Sequence, residues 1–302
     1  MGFQTGLRYS MVKFESQIVD KMLFYAAIFL LGLLLVALWS AWITVRPTRI
    51  RIPLTPQHYH LPAEEVTIRT SDGLDLSAWF IPREDRAVDA PVVILLHGYP
   101  AEKGDMLGIA QALHPYLATL VMDLRYFGKS QGRFTTLGLR ERDDLSRAVD
   151  YLEGRGLRRI GVFGFSMGGA VGMMAAADDS RIRAVATYGS YSDLITLGRE
   201  AYRNLWILKY PLVEMMRWWA EAILGDDPTA ISPLGAAGTF GVPALITHSR
   251  ADEQIPFHHA EALRRALGTN PRAEFYFFDQ GRHGDLPADY EERLIYFFLR
   301  SI

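Results

Sequence analysis

Between Lys21 and Arg46 runs a stretch of 24 residues, MLFYAAIFLLGLLLVALWSAWITV, without one charged side chain. As a helix rising 1.5 Å per residue it would span about 36 Å, enough to cross a bilayer core with some tilt. Tyr25, Trp39 and Trp42 lie near its ends, where amphipathic rings favour the membrane interface, and Pro47 stops the helix. The core helix of a soluble protein is rarely this long and this uniformly apolar. A cleaved signal peptide has an apolar region of about 7–15 residues and a small-x-small cleavage site. This run is longer, starts later and lacks the site. The reading is a retained single-pass membrane anchor: a flank over residues 1–21, the span over 22–45, a linker over 46–62 with Pro47, Pro53 and Pro56, and a folded domain over 63–302. Arg8, Lys13 and Lys21 precede the span and Arg46, Arg49 and Arg51 follow it. The tie leaves the side of the membrane open.

The domain has its own period. Glu65–Thr70 and Leu74–Ile81 alternate apolar and polar residues around Ser71-Asp72-Gly73, which predicts a β-hairpin. Strands buried on both faces are expected at Pro91–Leu96 and Ala118–Leu124, with further strands at Arg159–Phe163, Arg183–Tyr188, Ala244–His248 and Phe275–Phe278. Helices are expected between them, at Gly104–Leu113, Leu139–Gly154, Met167–Ala177, Phe257–Leu267 and Tyr290–Leu299. Such alternation specifies a mostly parallel sheet with helices on both faces. Ser190–Leu234 breaks the rhythm with helical, aromatic-rich sequence (Tyr202, Trp206, Tyr210, Trp218, Trp219). Insertions in open α/β sheets project from the carboxyl ends of strands, so this one reads as a cap lining a ligand pocket.

Composition narrows the chemistry. Without its first 49 residues, which hold five basic and two acidic side chains, the chain has 27 basic and 32 acidic groups. That balance argues against a nucleic-acid partner and against general attraction to anionic lipid. Cysteine is absent, which excludes disulfides, thiolate catalysis and Cys-ligated metals. There is no His-Glu-x-x-His, and adjacent His258 and His259 are not expected to turn both rings to one helical face, so no metal is expected. No glycine-rich nucleotide fingerprint is present, and no cofactor is expected.

Gly164-Phe165-Ser166-Met167-Gly168 is a G-x-S-x-G between an apolar strand and a small-residue helix. A serine on a sharp strand-to-helix turn needs neighbours without bulk, and glycines two before and two after supply that. With it, the chain resembles the α/β-hydrolase superfamily from about Glu65 to Ile302. Leu95-Leu96-His97-Gly98-Tyr99-Pro100 resembles that family's oxyanion loop. Asp123-Leu124-Arg125-Tyr126-Phe127-Gly128-Lys129-Ser130-Gln131-Gly132 is similar to its D-x-R-G-x-G-x-S segment, with Tyr126 for the usual glycine. Pro243–Pro256 resembles the strand and loop that carry the acid, and Gly281-Arg282-His283-Gly284 the histidine loop. Asp227-Pro228 and Ser232-Pro233-Leu234 are similar to membrane-anchored BEM46-like and ABHD-type hydrolases.

A serine hydroxyl needs a base, and the base a partner that orients it. Of eight histidines only His283 sits in a Gly-flanked loop after the last strand. His97 is expected to shape the oxyanion loop. Asp252, in the loop past His248, is the expected acid, ahead of Glu253, Asp279 and Asp285; it follows Ser166 and precedes His283, the order the superfamily uses. The backbone N–H groups of Tyr99 and Met167 are expected to form the oxyanion hole. These residues point to a membrane-anchored serine hydrolase of esters or thioesters, with an apolar acyl group, a lipid or a lipidated protein, suggested by the cap. The same triad also suits an aminopeptidase, with Glu200 or Glu214 holding the substrate amine. Two further alternatives are an acyltransferase and a non-catalytic scaffold. The sequence sets no oligomeric state.

Overall fold

The computed structural model describes residues 2–85, 90–239 and 241–302; the side chains of Arg8 and Lys13, two of the flanking charges, lie outside the description, as does Met1. The first helix, α1 (Gly2–Val45), starts well before the uncharged run and carries it to its end. From Met22 to Val36 this helix is almost entirely exposed; Ala37, Ser40, Ala41 and Val45 are buried. The segment that follows is pinned to the domain rather than free: the Tyr126 hydroxyl donates to the Pro47 carbonyl, Ile52 N–H donates to the Glu102 carboxylate, and Pro56–Tyr59 forms one 3₁₀ turn.

The domain continues as β1 (Glu64–Arg69), β2 (Asp75–Ile81), β3 (Val92–Leu96), α2 (Leu107–Leu113), β4 (Ala118–Met122), α3 (Glu141–Gly154), β5 (Ile160–Phe165), α4 (Met167–Asp178) and β6 (Ile182–Tyr188). Then come α5 (Leu194–Ala201), α6 (Lys209–Leu224), α7 (Pro233–Ala237), β7 (Ala244–Ser249), α8 (His258–Ala266), β8 (Ala273–Phe278) and α9 (Tyr290–Ser301). Among the described residues the strands form one eight-stranded sheet in the order β1-β2-β4-β3-β5-β6-β7-β8. β1 and β2 pair antiparallel, as does β2 with β4; all other pairs are parallel. The hairpin, the buried strands and the alternating helices stand where the apolar pattern placed them.

Alternate residues of each strand feed opposite faces. Ile94, Leu120, Val162, Val185 and Ile246 pack on the side of α3, α4, α7 and α8. Val93, Leu95, Val121, Phe163 and Leu245 pack on the side of α2 and α9. Each such aliphatic or aromatic side chain, fully buried, contributes about 1.5–3 kcal/mol from removed apolar surface. β4 ends two residues before the expected Leu124. Asp123 turns inward there, its carboxylate accepting from Lys103 N (2.7 Å), Lys103 Nζ (2.5 Å) and Lys129 N (2.9 Å). That buried, fully paired carboxylate draws the loop after β4 toward the loop after β3.

Candidate active site

The loops after β3, β5, β7 and β8 carry His97 and Tyr99, Ser166, Asp252 and His283, in that order, and Met167 opens α4 directly after Ser166. Ser166 is the single residue between β5 and α4 and holds φ 52°, ψ −114°. A side chain in that backbone region is costly, so the surroundings must enforce it. Ser166 N–H donates to Tyr188 O (2.8 Å), and Gly169 N–H donates to Ser166 O (3.1 Å). The flanking glycines are obligatory. A Cβ on Gly164 would stand 2.2 Å from the Gly168 carbonyl carbon, and one on Gly168 would stand 2.5 Å from Leu96 O. The elbow therefore packs directly on the end of β3.

His283 Nδ1 lies 2.7 Å from Asp252 Oδ2. Asp252 Oδ1 accepts the backbone N–H groups of Gln254 (2.9 Å) and Ile255 (2.8 Å). Burial opposes ionisation of Asp252, but the bond from His283 and those two N–H donors outweigh it and hold the carboxyl below the ordinary carboxylate range. The His283 ring rests on Phe165, the residue before the serine, with centroids 4.8 Å apart. Gly189, after β6, has φ +62°, and a Cβ there would come within 3.1 Å of the imidazole. His283 thus stands beside the elbow, but among the described residues no hydrogen bond joins it to the Ser166 hydroxyl. The fallback acid Glu253 has another position: it accepts His283 N–H (3.1 Å) and lines the pocket. Asp285 caps Arg282 N–H (2.8 Å), and Asp279 is an exposed partner of Arg250.

The loop after β3, where the oxyanion donor is expected, is held by His97, fully buried. Its Nε2 accepts Leu124 N–H (3.1 Å), so the proton sits on Nδ1 and is donated to Gly98 O (2.8 Å). Gly98 abuts Ser166, where a Cβ would lie 3.2 Å from the serine Cβ. Tyr99 and Met167 border one cavity together with Ser166. The Tyr99 hydroxyl donates to Thr44 O (3.2 Å) at the end of α1; burial pushes its pKa up to about 12.

That cavity measures about 450 Å³. Leu194, Leu197, Ala201 and Met216 of the cap form its apolar wall, and Thr44 of α1 contributes from the other side. Of the five aromatics singled out in the cap, Tyr202 borders it, and so does Tyr191 at the start of the insertion. Trp206, Tyr210 and Trp218 are 81%, 52% and 55% exposed, so the aromatic run is mostly outer surface rather than pocket lining. Sequence reading also missed Thr44 and Glu253: one lies inside the uncharged run, and the other was weighed only as an acid.

The His258–His259 expectation fails in its geometry. Their rings stack with centroids 4.7 Å apart, and both Nε2 atoms reach the carboxylate of Glu200, because α5 lies across the first turn of α8. The three ligand atoms lie within 4.8 Å of one another. The set does not suit a metal as arranged. His259 Nδ1 accepts Ser192 N–H (3.1 Å), so its Nε2 carries the proton it donates to Glu200 (2.7 Å) and has no lone pair to offer. Glu200 instead ties the cap to α8.

Comparison with known proteins follows the same outline. Residues 91–210 match the family model described as alpha/beta hydrolase fold. The protein YfhR of Escherichia coli K12 is 27% identical over 261 residues, 80% of this chain and 82% of YfhR. Protein bem46 of Schizosaccharomyces pombe is 28% identical over 157 residues, 49% of this chain and 52% of bem46. The Pyrococcus furiosus esterase Pf2001 is 25% identical, with a TM-score of 0.70 over 85% of this chain and 98% of the esterase.

Proposed function

Because this chain is an α/β-hydrolase-fold protein, we propose that it is a serine hydrolase, held at a membrane by α1, that cleaves an ester or thioester bearing an apolar acyl group. The observation that carries the reading is Ser166, held at positive φ at the wall of an apolar cavity, with an Asp252–His283 pair against the adjoining Phe165.

In this reading His283 keeps its proton on Nδ1, facing Asp252, and presents Nε2 as the base. Nε2 takes the Ser166 proton while Oγ bonds to the acyl carbon. The N–H groups of Met167 and Tyr99 stabilise the oxyanion, a contribution of about 10²–10³ in rate for each donor. Collapse breaks the bond to the leaving alcohol or thiol, which receives the proton from His283. A water, deprotonated by the same Nε2, then releases the acid and restores Ser166.

A retained anchor is supported by the burial of Ala37, Ala41 and Val45 and by Thr44 at the cavity wall: cleavage past the span would remove part of the pocket. Apolar lining favours an acyl chain. The aminopeptidase reading has less support, since both oxygens of Glu200 are engaged by histidines and Glu214 is bound by Arg217 at 2.7 Å.

The test is fluorophosphonate labelling of the full chain in detergent, for the wild type, Ser166→Ala and His283→Ala. Labelling of the wild type alone, followed by turnover of long-chain esters or thioesters, is the expected result. Folded wild type that resists the probe would favour the scaffold reading.

A further inference from the structure

The turn that joins α5 to α6 exposes Leu205, Trp206, Ile207, Leu208 and Tyr210, with Trp206 at 81% and Ile207 at 63%. A contiguous apolar surface of this kind needs a partner. Trp206 holds φ 48°, ψ −119°, backbone that a non-glycine residue adopts at a cost, here spent on an exposed indole. Arg199, Arg203 and Lys209 flank the turn. Arg199 and Lys209 both stand over the Tyr210 ring, at 5.6 and 5.2 Å. The one carboxylate in the segment, Glu200, is turned away to His258 and His259. Aromatic and aliphatic tips ringed by basic groups match the chemistry of a lipid headgroup layer.

Position points the same way. Met22 to Trp39 is 18 residues, about 27 Å of helix, close to the thickness of a bilayer core of about 30 Å. If α1 spans, the membrane surface falls where the helix first becomes buried, at Ala37–Ala41. There it packs against α6: Ala41, Thr44 and Val45 share a small cavity with Val213, Met216 and Ala220. On the outer side of the same helical turns Trp39 is 65% and Ile43 43% exposed. The start of α6 is the end of the apolar turn. Resting on the reading of α1 as a membrane span, we propose that the Leu205–Tyr210 turn is a second membrane contact, seated in the headgroup layer of the bilayer that α1 crosses. Tyr202 and Arg203, which lead into the turn, also line the active-site cavity. The contact would therefore hold the pocket wall at lipid-headgroup level, where acyl chains are supplied.

The chain has no cysteine, so a single introduced one is labelled uniquely. Full-length Leu30→Cys, Ile207→Cys and Glu291→Cys proteins would each carry an environment-sensitive fluorophore. They would be reconstituted in phosphatidylcholine vesicles with and without phosphatidylserine, doped in parallel samples with lipids bearing a nitroxide at a shallow acyl position, which reads 207 and 291, or at a deep one, which reads 30. Glu291 lies on α9, across the sheet from the face that packs Val45. The proposal expects quenching at position 207 at least about threefold stronger than at 291, rising with phosphatidylserine. Quenching at 30 with equal, weak quenching at 207 and 291 would leave the anchor standing and overturn the docking. No quenching at 30 would overturn the span, and the proposal with it. A blue shift at 207 that follows protein density and ignores the nitroxide would assign the turn to a second copy of the chain, and the proposal would again fall.

Discussion

His283 Nδ1 and Asp252 Oδ2 are joined at 2.7 Å in a pocket that leaves the Asp252 side chain no exposure. The other oxygen of Asp252 is occupied by two backbone donors, so the carboxylate cannot rotate away without breaking three hydrogen bonds. Asp252→Asn retains an oxygen for Gln254 and Ile255 N–H but sets an amide N–H₂ or a weaker acceptor against His283. The variant is expected to fold with near wild-type stability and to lose about 10²–10⁴-fold in kcat. A steady-state assay beside a circular-dichroism melt checks both halves; an active Asp252→Asn would remove Asp252 from the proposed triad.

Met167 separates two roles that one residue can hold. Its backbone N–H is the proposed oxyanion donor, while its side chain is 2% exposed within the core of the α4 face. Met167→Ala keeps the N–H and deletes the packing. Acyl-enzyme formation is expected to change less than about tenfold, whereas stability is expected to fall by about 2–5 kcal/mol, as for other buried large-to-small changes. Burst kinetics on the folded fraction, set against a denaturation midpoint, distinguish the two.

Two glycines, one in α4 and one in α2, give a steric contrast. A Cβ at Gly168 meets Leu96 O at 2.5 Å and His97 O at 2.7 Å, both backbone atoms that cannot move without shifting β3. Gly108, inside α2, has nothing within 4 Å of the same position. Gly168→Ala is expected to destabilise by at least about 1–3 kcal/mol and to misplace Ser166. Gly108→Ala is expected to stabilise by about 0.4–1 kcal/mol through the unfolded chain and helix propensity. Thermal midpoints that move in the same direction for both variants would contradict this steric account.

Much of this arrangement is legible in the residues, because local chemistry dictates it. An apolar β-branched run followed by glycines around a serine leaves few folds other than a strand-to-helix elbow. A histidine between Gly281 and Gly284, after the last strand, has few places to go. What escapes sequence reading is tertiary. Periodicity marks Trp206 and Trp218 as members of a helical, aromatic stretch but does not say that they face outward. Neither does it reveal that α6 packs on the last turns of α1, or that Thr44 reaches the pocket, since both depend on where a distant helix crosses. Adjacent positions on one helix argue against His258 and His259 sharing a face; the carboxylate that gathers both rings comes from another helix.

Three buried histidines set the sign of the pH dependence. Burial holds the pKa values of His97, His248 and His259 below the ordinary histidine value, against neighbouring carboxylates that pull upward: Asp123, Asp105 and Glu102 for His97, Asp252 for His248, and Glu200 and Asp193 for His259. At His97 and His259 hydrogen bonding acts with burial, because protonating His97 at Nε2 or His259 at Nδ1 would set an N–H against the N–H of Leu124 or Ser192; at His248 the bond donated from Nε2 to Ile255 O (2.8 Å) pulls the other way, and burial outweighs it. The unfolded chain takes up these protons near pH 6.5 and the folded one only lower. The contribution of these rings is therefore complete above about pH 6.5 and declines as pH falls below it, by at most about 1.4 kcal/mol per pH unit for each ring; the carboxyls of Asp144, pushed up to about 6 by burial, and Asp105, also raised by burial, oppose it, two groups against three. Chemical denaturation in detergent at pH 7.5, 6.5 and 5.5 is expected to show midpoints dropping over the last interval. His259→Gln, with one titrating ring fewer, is expected to flatten that drop. A midpoint constant from pH 7.5 to 5.5 would mean that the folded protein accepts these protons as readily as the unfolded chain, and that burial does not hold the rings neutral.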